Sequence, residues 1–203
     1  MKEIILSDTQ KDAIREIGNI CAGNAATAFS QLLNRKIEII VPNIFFIPIE
    51  NVTLVIDGKD KLVAGIVVRL LGDLPGYILF VFPQKDALIL SSFMTGRTIS
   101  NGSVIGDLER SALKETGIIL ANAYINALSS FIEMGLVPAV PEVIVDMAGA
   151  MVDYILIELS CESQFALVIE SEFREVLVSI KGHFFLIPNP AGLEIILKAI
   201  SKF

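Results

Sequence analysis

Three side chains in the first tenth of the sequence have the types and the spacing to support chemistry. Asp12, Glu16 and Asn19 follow one another at intervals of four and three residues. On a helix that turns about 100° per residue, they lie within about 60° of one another. They would form one polar stripe of two carboxylates and a carboxamide. A carboxylate can pair with a cation, and a carboxamide can orient a water molecule through hydrogen bonds.

The same stripe is also typical of a solvated helix surface, and its spacing alone favours that simpler interpretation. Other kinds of chemistry have no basis in the sequence. The only histidine, His183, lies in a strand-like segment that indicates a structural role. We find no Ser–His–Asp set, no metal-ligand spacing and no glycine-rich phosphate loop. Any reaction would therefore depend on a carboxylate and a carboxamide.

The segment that carries the stripe recurs 99 residues later. Residues 12–30 read DAIREIGNICAGNAATAFS, and residues 111–129 read SALKETGIILANAYINALS. A proline follows each copy at the same distance, as Pro42 and Pro141. A repeat of this length predicts one architecture built from two related halves.

The two copies differ in the polar stripe. In the second copy, Ser111, Glu115 and Ile118 stand where the first has its aspartate, glutamate and asparagine. The polar constellation is therefore complete in the first half and broken in the second.

Composition narrows the class of protein. The 203-residue chain is 53% hydrophobic and 19% charged, which predicts a globular protein with a sizeable core. No apolar run reaches the roughly 18 residues of a spanning helix, and the first ten residues lack a secretory-signal pattern. A net charge of −7 argues against nucleic-acid binding. Cys21 and Cys161 predict neither a disulfide framework nor a metal site, and they fit a reducing cytoplasm.

The pattern of helices and strands predicts the same order of elements in each half. Ser7 and Gln10 have capping-box spacing, and Asn34 is a plausible left-handed end to the first helix. Further helices are expected at about 84–95, 108–134 and 190–201. Asp107 would cap the helix at 108–134, and Gly135 would end it. Strands are expected at about 36–49, 52–57, 61–71 and 76–83, and again at about 139–147, 153–160, 164–171 and 174–188.

These elements predict an α/β (α+β) fold with pseudo-twofold symmetry. Two α-β-β-β-α type repeats, at about 7–97 and 106–203, would share one sheet and pack two long helices on it. No linker-like stretch separates the repeats, so residues 1–203 are expected to form a single domain. The glycines and alanines after the stripe, including Gly18 and Gly23, predict close packing of the first long helix.

At this point the residues resemble a known family. The pattern Asp12-x3-Glu16-x2-Asn19-x22-Pro42 is similar to the signature of the CheC/CheX/FliY family of chemotaxis phosphatases. The segment EIGNICAGNAATAFSQLLNRKIEIIVP, residues 16–42, resembles the CheC branch in particular, and the likeness extends over the whole chain.

The resemblance implies hydrolysis of the aspartyl phosphate of a CheY-type response regulator. Asn19 would orient the attacking water, and Glu16 would pair with a basic residue of the regulator. Asp12 would contribute to docking or to the helix start, and Pro42 would fix the strand beside the helix end. The Mg²⁺ would belong to the regulator, so the chain would need no cofactor of its own.

The second half departs from the family signature. Ile118 cannot orient water, so the site at Ser111, Glu115, Ile118 and Pro141 is expected to be catalytically inactive. An open alternative is that Glu115 still docks a regulator without turnover. In CheC proteins the segment matching residues 142–151 lies near the surface that binds the deamidase CheD, which implies a role for Asp146 and Met147. Those two residues are equally typical of a strand end before a turn.

Two functions follow from this reasoning. The first is a cytoplasmic phosphatase with one active site, and the second is a non-catalytic adaptor that binds CheD or the flagellar switch. The intact Asn19 favours the enzyme. Because one chain already holds both halves, we expect a monomer.

Overall fold

The computed structural model describes residues 4, 6–56, 58–100, 103–158, 165–175 and 178–202. Cys161 and residues 159–160 of a predicted strand lie outside the described residues. The helices are α1 (Asp8–Leu33), α2 (Val52–Val55), α3 (Gln84–Thr95), α4 (Asp107–Ile132), α5 (Ala148–Glu158) and α6 (Pro190–Ile200), with a 3-10 turn at Ile49–Asn51. The strands are β1 (Glu38–Ile40), β2 (Ile44–Pro48), β3 (Leu62–Gly72), β4 (Gly76–Pro83), β5 (Leu136–Pro138), β6 (Glu142–Met147), β7 (Phe165–Glu175) and β8 (Val178–Pro188).

All eight of these strands form one antiparallel sheet in the order β1-β7-β8-β4-β3-β5, with β2 also on β7 and β6 also on β3. Strands β4 and β8, one from each half of the chain, pair at the centre. Each half places its two short strands on the long strand of the other half. The predicted α/β class, with a sheet shared between the halves, is confirmed.

The same order of elements occurs twice along the chain. Each time a long helix is followed by two short strands, a helix on the far face, two long strands and a last helix. Helices α1, α3, α4 and α6 cover one face of the sheet, and α1 packs against α4 there. Helices α2 and α5 cover part of the other face over a second, smaller core.

The ends of α1 agree with the sequence. The Ser7 hydroxyl accepts a hydrogen bond from the Gln10 amide at 3.2 Å, and the Gln10 side chain accepts one from the Ser7 amide at 2.9 Å. Asn34 ends the helix in the left-handed conformation, with φ 49°. This reciprocal bonding satisfies amide groups that the first turn leaves free.

The ends of α4 differ from the prediction. Gly106, not Asp107, is the N-cap. The Glu109 carboxylate accepts a hydrogen bond from the Gly106 amide at 3.0 Å. At the other end Glu133, not Gly135, takes the left-handed conformation, with φ 56°. A glutamate tolerates this conformation less readily than glycine, so the sequence favoured the wrong residue.

The strands predicted at 52–57 and 153–160 are wrong. Residues 52–55 form α2, and residues 153–158 belong to α5. Both segments are short apolar runs, in which alternation and helical spacing are difficult to separate. Their helical faces pack on the second core through the buried side chains of Val52, Ile56, Met151 and Ile155.

The close packing predicted for the first long helix is ordinary contact at Gly18 and absent at Gly23, whereas Gly117 of the second long helix is closely packed. A Cβ at Gly18 would lie 3.4 Å from both the Ile44 and the Val41 side chains, which is ordinary contact. A Cβ at Gly117 would overlap the side chain of Ile66. Gly23, in contrast, is exposed and has nothing within 4 Å of its Cβ position.

Substituting the two equivalent glycines is expected to have different effects on stability. Gly117→Ala should lower the free energy of unfolding by about 1–3 kcal/mol, because the added methyl group overlaps the stiff side chain of Ile66. Gly18→Ala should leave it unchanged or raise it by up to about 1 kcal/mol, because alanine is the better helix former. Urea unfolding followed by circular dichroism measures both changes, and equal changes would contradict this account of the packing.

Candidate functional site

Helix α1 presents the polar stripe to solvent. Asp12, Glu16 and Asn19 are all exposed on one side of a regular helix. The opposite side of the helix is buried, and its residues are Ala13, Ile14, Ile17, Gly18, Cys21, Ala22, Ala25 and Phe29. The helix is therefore held by its apolar face, which leaves the stripe in a fixed position at the surface.

The side chains of Glu16 and Asn19 make no hydrogen bond or ion pair with any residue that the structure describes. Asp12 differs, because its carboxylate lies 3.5 Å from the Arg15 guanidinium. Both members of that pair are largely exposed, so it contributes little to stability. The carboxylate of Glu16 and the carboxamide of Asn19 are thus available to a partner.

Pro42 lies beside the same part of the helix. It is exposed in the link between β1 and β2, and the flanking side chains of Val41 and Ile44 both reach the Gly18 position, next to Asn19. Asn43 extends this link, and its side-chain Nδ2 donates a hydrogen bond to the Glu170 carboxylate at 2.6 Å. The structure therefore brings the proline segment together with the polar stripe.

The equivalent surface in the second half is apolar. Ile118 is half-buried and lines a pocket of about 260 Å³ with Ala121, Asn122 and residues 138–141. Pro141 is buried, whereas Pro42 is exposed. Glu115 remains exposed, and the Ser111 hydroxyl donates a hydrogen bond to the Asp107 carbonyl at 2.9 Å. No carboxamide therefore stands beside Glu115 at the position equivalent to Asn19.

Asp146 and Met147 lie far along the chain from the stripe, at the end of strand β6. Both are exposed, and the Asp146 carboxylate accepts a hydrogen bond from the Met147 amide at 2.7 Å. Met147 pairs in register with Leu62, which is also exposed. These side chains form a small apolar surface at the edge of the sheet.

A buried layer beneath the stripe fixes α1 to α4 and to the sheet. The Cys21 thiol, two residues after Asn19, donates a weak hydrogen bond to the Tyr124 carbonyl at 3.8 Å. The Tyr124 ring stacks on Phe184 at 4.3 Å, and its hydroxyl lies 3.1 Å from the Ser171 hydroxyl. Burial raises the pKa of the Cys21 thiol to about 12, and it also raises the pKa of the Tyr124 phenol.

Two residues near the stripe carried no clear signal in the sequence. Ile20, directly after Asn19, is 50% exposed although isoleucine usually indicates a core position. Gly23 continues the stripe by one more turn. Its exposure could not be predicted, because the small residues around it indicated close packing. Neither could be assigned without knowing which surfaces of the protein pack on the helix.

The described part of the chain offers no other obvious chemical centre. Among the residues that the structure describes, no group of three or more His, Cys, Asp or Glu side chains could hold a metal ion. No helix in the same residues is both long enough and apolar enough to cross a membrane.

Comparison with known proteins connects this site to a family. The model of the CheC-like family matches residues 10–45, which include the stripe and Pro42. The CheY-P phosphatase CheC of Bacillus subtilis (strain 168) is 34% identical over 199 residues, which cover 96% of this chain and 95% of that protein. The chain belongs to the CheC-like family. The resemblance that the sequence pattern indicated is therefore confirmed.

Two FliY proteins are also similar to the chain. The flagellar motor switch phosphatase FliY of Bacillus subtilis is 35% identical over 111 residues, which cover 54% of this chain and 29% of that protein. The crystal structure of Thermotoga maritima FliY has a TM-score of 0.75 at 21% identity and covers 98% of this chain and 99% of that one. The second likeness shows a common fold.

The thiol beneath the stripe gives a test of how firmly α1 is held. In a Cys161→Ser variant, iodoacetamide at pH 9 should modify folded Cys21 at least about 10²-fold more slowly than it modifies the chain unfolded in urea, because only the thiolate reacts. Mass spectrometry measures both rates, and similar rates would show that α1 opens readily.

The same thiol links stability to pH. The pKa of Cys21 is about 12 in the folded protein and about 8.5 in an unfolded chain. Its contribution to stability is therefore complete below about pH 8.5 and is lost as the pH rises toward 12. Cys21→Ala should remove this part of the alkaline destabilisation, and urea titrations at pH 8 and pH 10 measure it.

Proposed function

We propose that this CheC-like protein hydrolyses the aspartyl phosphate of a phosphorylated CheY-type response regulator, using one active site on α1. The observation that carries the proposal is the placement of Glu16 and Asn19, exposed, on one helix face and without partners among the described residues. The relative that matches over nearly the whole chain is named a CheY-P phosphatase, which supports the choice of substrate.

The reaction requires little covalent chemistry from the protein. In an aspartyl phosphate, water attacks phosphorus in line with the bond to the aspartyl oxygen. A new P–O bond forms to water, the old P–O bond breaks, and aspartate leaves as a carboxylate. The protons of the water pass to the released phosphate and to solvent. Catalysis then consists mainly of positioning the water and excluding competing orientations.

Asn19 is suited to hold that water. Its carboxamide offers both a donor and an acceptor, and it carries no charge that would repel the phosphoryl oxygens. It projects from a helix whose opposite face is buried, so its backbone position is well defined. Such a side chain increases the effective concentration of correctly placed water.

Glu16 is suited to fix the regulator. One helical turn before Asn19, its carboxylate would pair with a basic residue of the regulator and set the pose of the two proteins. Asp12 would contribute a second negative charge at the same edge, and Pro42 would hold the neighbouring segment in place. The Mg²⁺ is expected on the regulator as part of the substrate, and we assign no cofactor to the chain itself.

The proposal includes four further statements about the chain. The second site at Ile118 is inactive, because its surface is apolar where the first has a carboxamide. The protein acts as a monomer in the cytoplasm. Residues 1–203 form one domain built from repeats of about 7–97 and 106–203. The exchange of short strands between the two halves supports this last statement.

The decisive variants change one polar group at a time. Asn19→Ala should lower the rate constant for decay of the phosphorylated regulator by about 10²-fold, because the water loses its orienting group. Glu16→Gln should mainly raise KM, by about tenfold, and should weaken the salt dependence of binding, because only the charge is lost. Release of inorganic phosphate from the regulator measures both effects.

The matched control for these variants is Ile118→Ala, at the position equivalent to Asn19 in the second half. It should leave the rate unchanged. If the wild-type protein fails to accelerate decay, or if Ile118→Ala has the effect expected of Asn19→Ala, the single-site phosphatase is wrong. A wild-type protein that binds CheD without accelerating decay would instead be the non-catalytic adaptor.

We also propose that the edge of the sheet at Asp146 and Met147 binds CheD. Met147 is 52% exposed and pairs with an exposed Leu62, which gives an apolar surface beside an acidic residue. Exposed methionine adapts readily to a partner surface.

A cation placed at this edge should weaken the association. Met147→Lys is expected to weaken CheD binding by more than tenfold, because an apolar contact is replaced by a cation. Val140→Lys is the control, because Val140 is also exposed but lies in the link between β5 and β6. Titration calorimetry with purified CheD measures both variants, and equal affinities would place the interface elsewhere.

A further inference from the structure

Neither the backbone conformation nor the packing of the protein requires a glycine at residue 23. Its backbone has an ordinary helical conformation, since it is not among the described residues with positive φ. No atom lies within 4 Å of its Cβ position, so no neighbour demands the small residue. A glycine in a helix interior is less favourable than alanine, and here nothing within the described protein offsets that cost.

The position of Gly23 on the helix is that of the polar stripe. It follows Asn19 by four residues, about one turn, and lies about 20° around the helix axis from Asp12. Seen down the axis, it falls between Glu16 and Asn19. The stripe therefore continues beyond the carboxamide as a bare patch of helix backbone.

The backbone carbonyl of Gly23 is already engaged. The Thr27 hydroxyl donates a hydrogen bond to it at 2.9 Å, within the same helix. A partner is thus not needed to satisfy this group. What distinguishes Gly23 from any other residue at this position is the absence of a side chain.

The second half shows the contrast. With the offset of 99 residues, the equivalent of Gly23 is Asn122, whose exposed side chain lines the apolar pocket with Ile118. The half without a carboxamide at the position of Asn19 also has no bare surface beside that position. The half that keeps Asn19 keeps the surface clear.

We propose that Gly23 is a positioning residue for the reaction, because it leaves the surface beside Asn19 clear for close approach of the phosphoaspartate-bearing face of the response regulator. This inference rests on the proposed function. A side chain at residue 23 would hold the regulator away from the helix, so that the water on Asn19 no longer lies in line with the phosphorus. A displacement of about 1 Å is sufficient to cost about 10²-fold in rate.

Substitutions at Gly23 separate this role from a role in folding. Gly23→Ala should raise Tm, because alanine is the better helix former, and should lower kcat/KM by about tenfold. Gly23→Asn, which copies the second half, should lower it by about 10²-fold. Asn24→Ala is the control, because Asn24 is exposed on the same helix about 100° away from Gly23. It should leave kcat/KM unchanged.

A second experiment builds the feature into the other half. In a chain inactivated by Asn19→Ala, Ile118→Asn alone should restore no activity, because Asn122 still blocks the approach. Ile118→Asn combined with Asn122→Gly should restore measurable phosphate release. Equal rates for these two variants would overturn the steric account.

The outcomes distinguish this inference from the proposed function. If the wild type accelerates decay and Gly23→Asn matches it, Gly23 has no positioning role while the phosphatase stands. If the wild type neither accelerates decay nor binds the beryllofluoride form of the regulator, both proposals are wrong. A more stable Gly23→Ala protein with lower kcat/KM supports the inference, since a purely structural defect would lower both quantities.

Discussion

The structure depends on antiparallel pairing between strands that come from opposite halves of the chain. Strands β1 and β2 are hydrogen-bonded to β7, and β5 and β6 are hydrogen-bonded to β3. Backbone groups at these edges have few other partners, so each half needs the other to complete its sheet. The long helices α1 and α4 then pack together on the face that this exchange creates.

This arrangement explains how one surface can change while the fold stays the same. The buried side of each long helix holds the shared core, and the exposed side has no structural duty beyond solubility. Ile118 stands at the position equivalent to Asn19, so the two long helices differ in surface chemistry while both pack on the shared core. The two halves therefore differ in side chains on the outer faces of two equivalent helices and in the exposure of the proline that follows each helix.

The parts of this structure that local interactions determine could be predicted from the sequence. The bounds of α1 followed from Ser7, Gln10 and Asn34, because capping uses residues close to one another along the chain. The polar stripe followed from helical periodicity. The left-handed Glu133 gave no such signal, because glycine is the residue that usually takes this conformation and Gly135 stands two residues later.

Features that depend on distant parts of the chain could not be predicted in the same way. Whether the apolar runs of α2 and α5 are helices depends on the second core, to which several strands contribute. The exchange of strands could not be predicted from hydrophobic periodicity, because periodicity indicates where a strand lies but not which strand it pairs with. The exposure of the helix at Gly23 likewise depends on which other segments of the chain pack against it, and the sequence alone does not show this.

The exchange of strands also sets the order in which the protein can be completed during synthesis. The stripe on α1 is made early, but β2 next to it pairs with residues far ahead: Ile44 faces Ile169, 125 residues later. At about 5–20 residues per second, the ribosome needs about 6–25 s to make that interval. The half that carries the stripe is therefore translated first, but its short strands stay unpaired until β7 of the other half has been made.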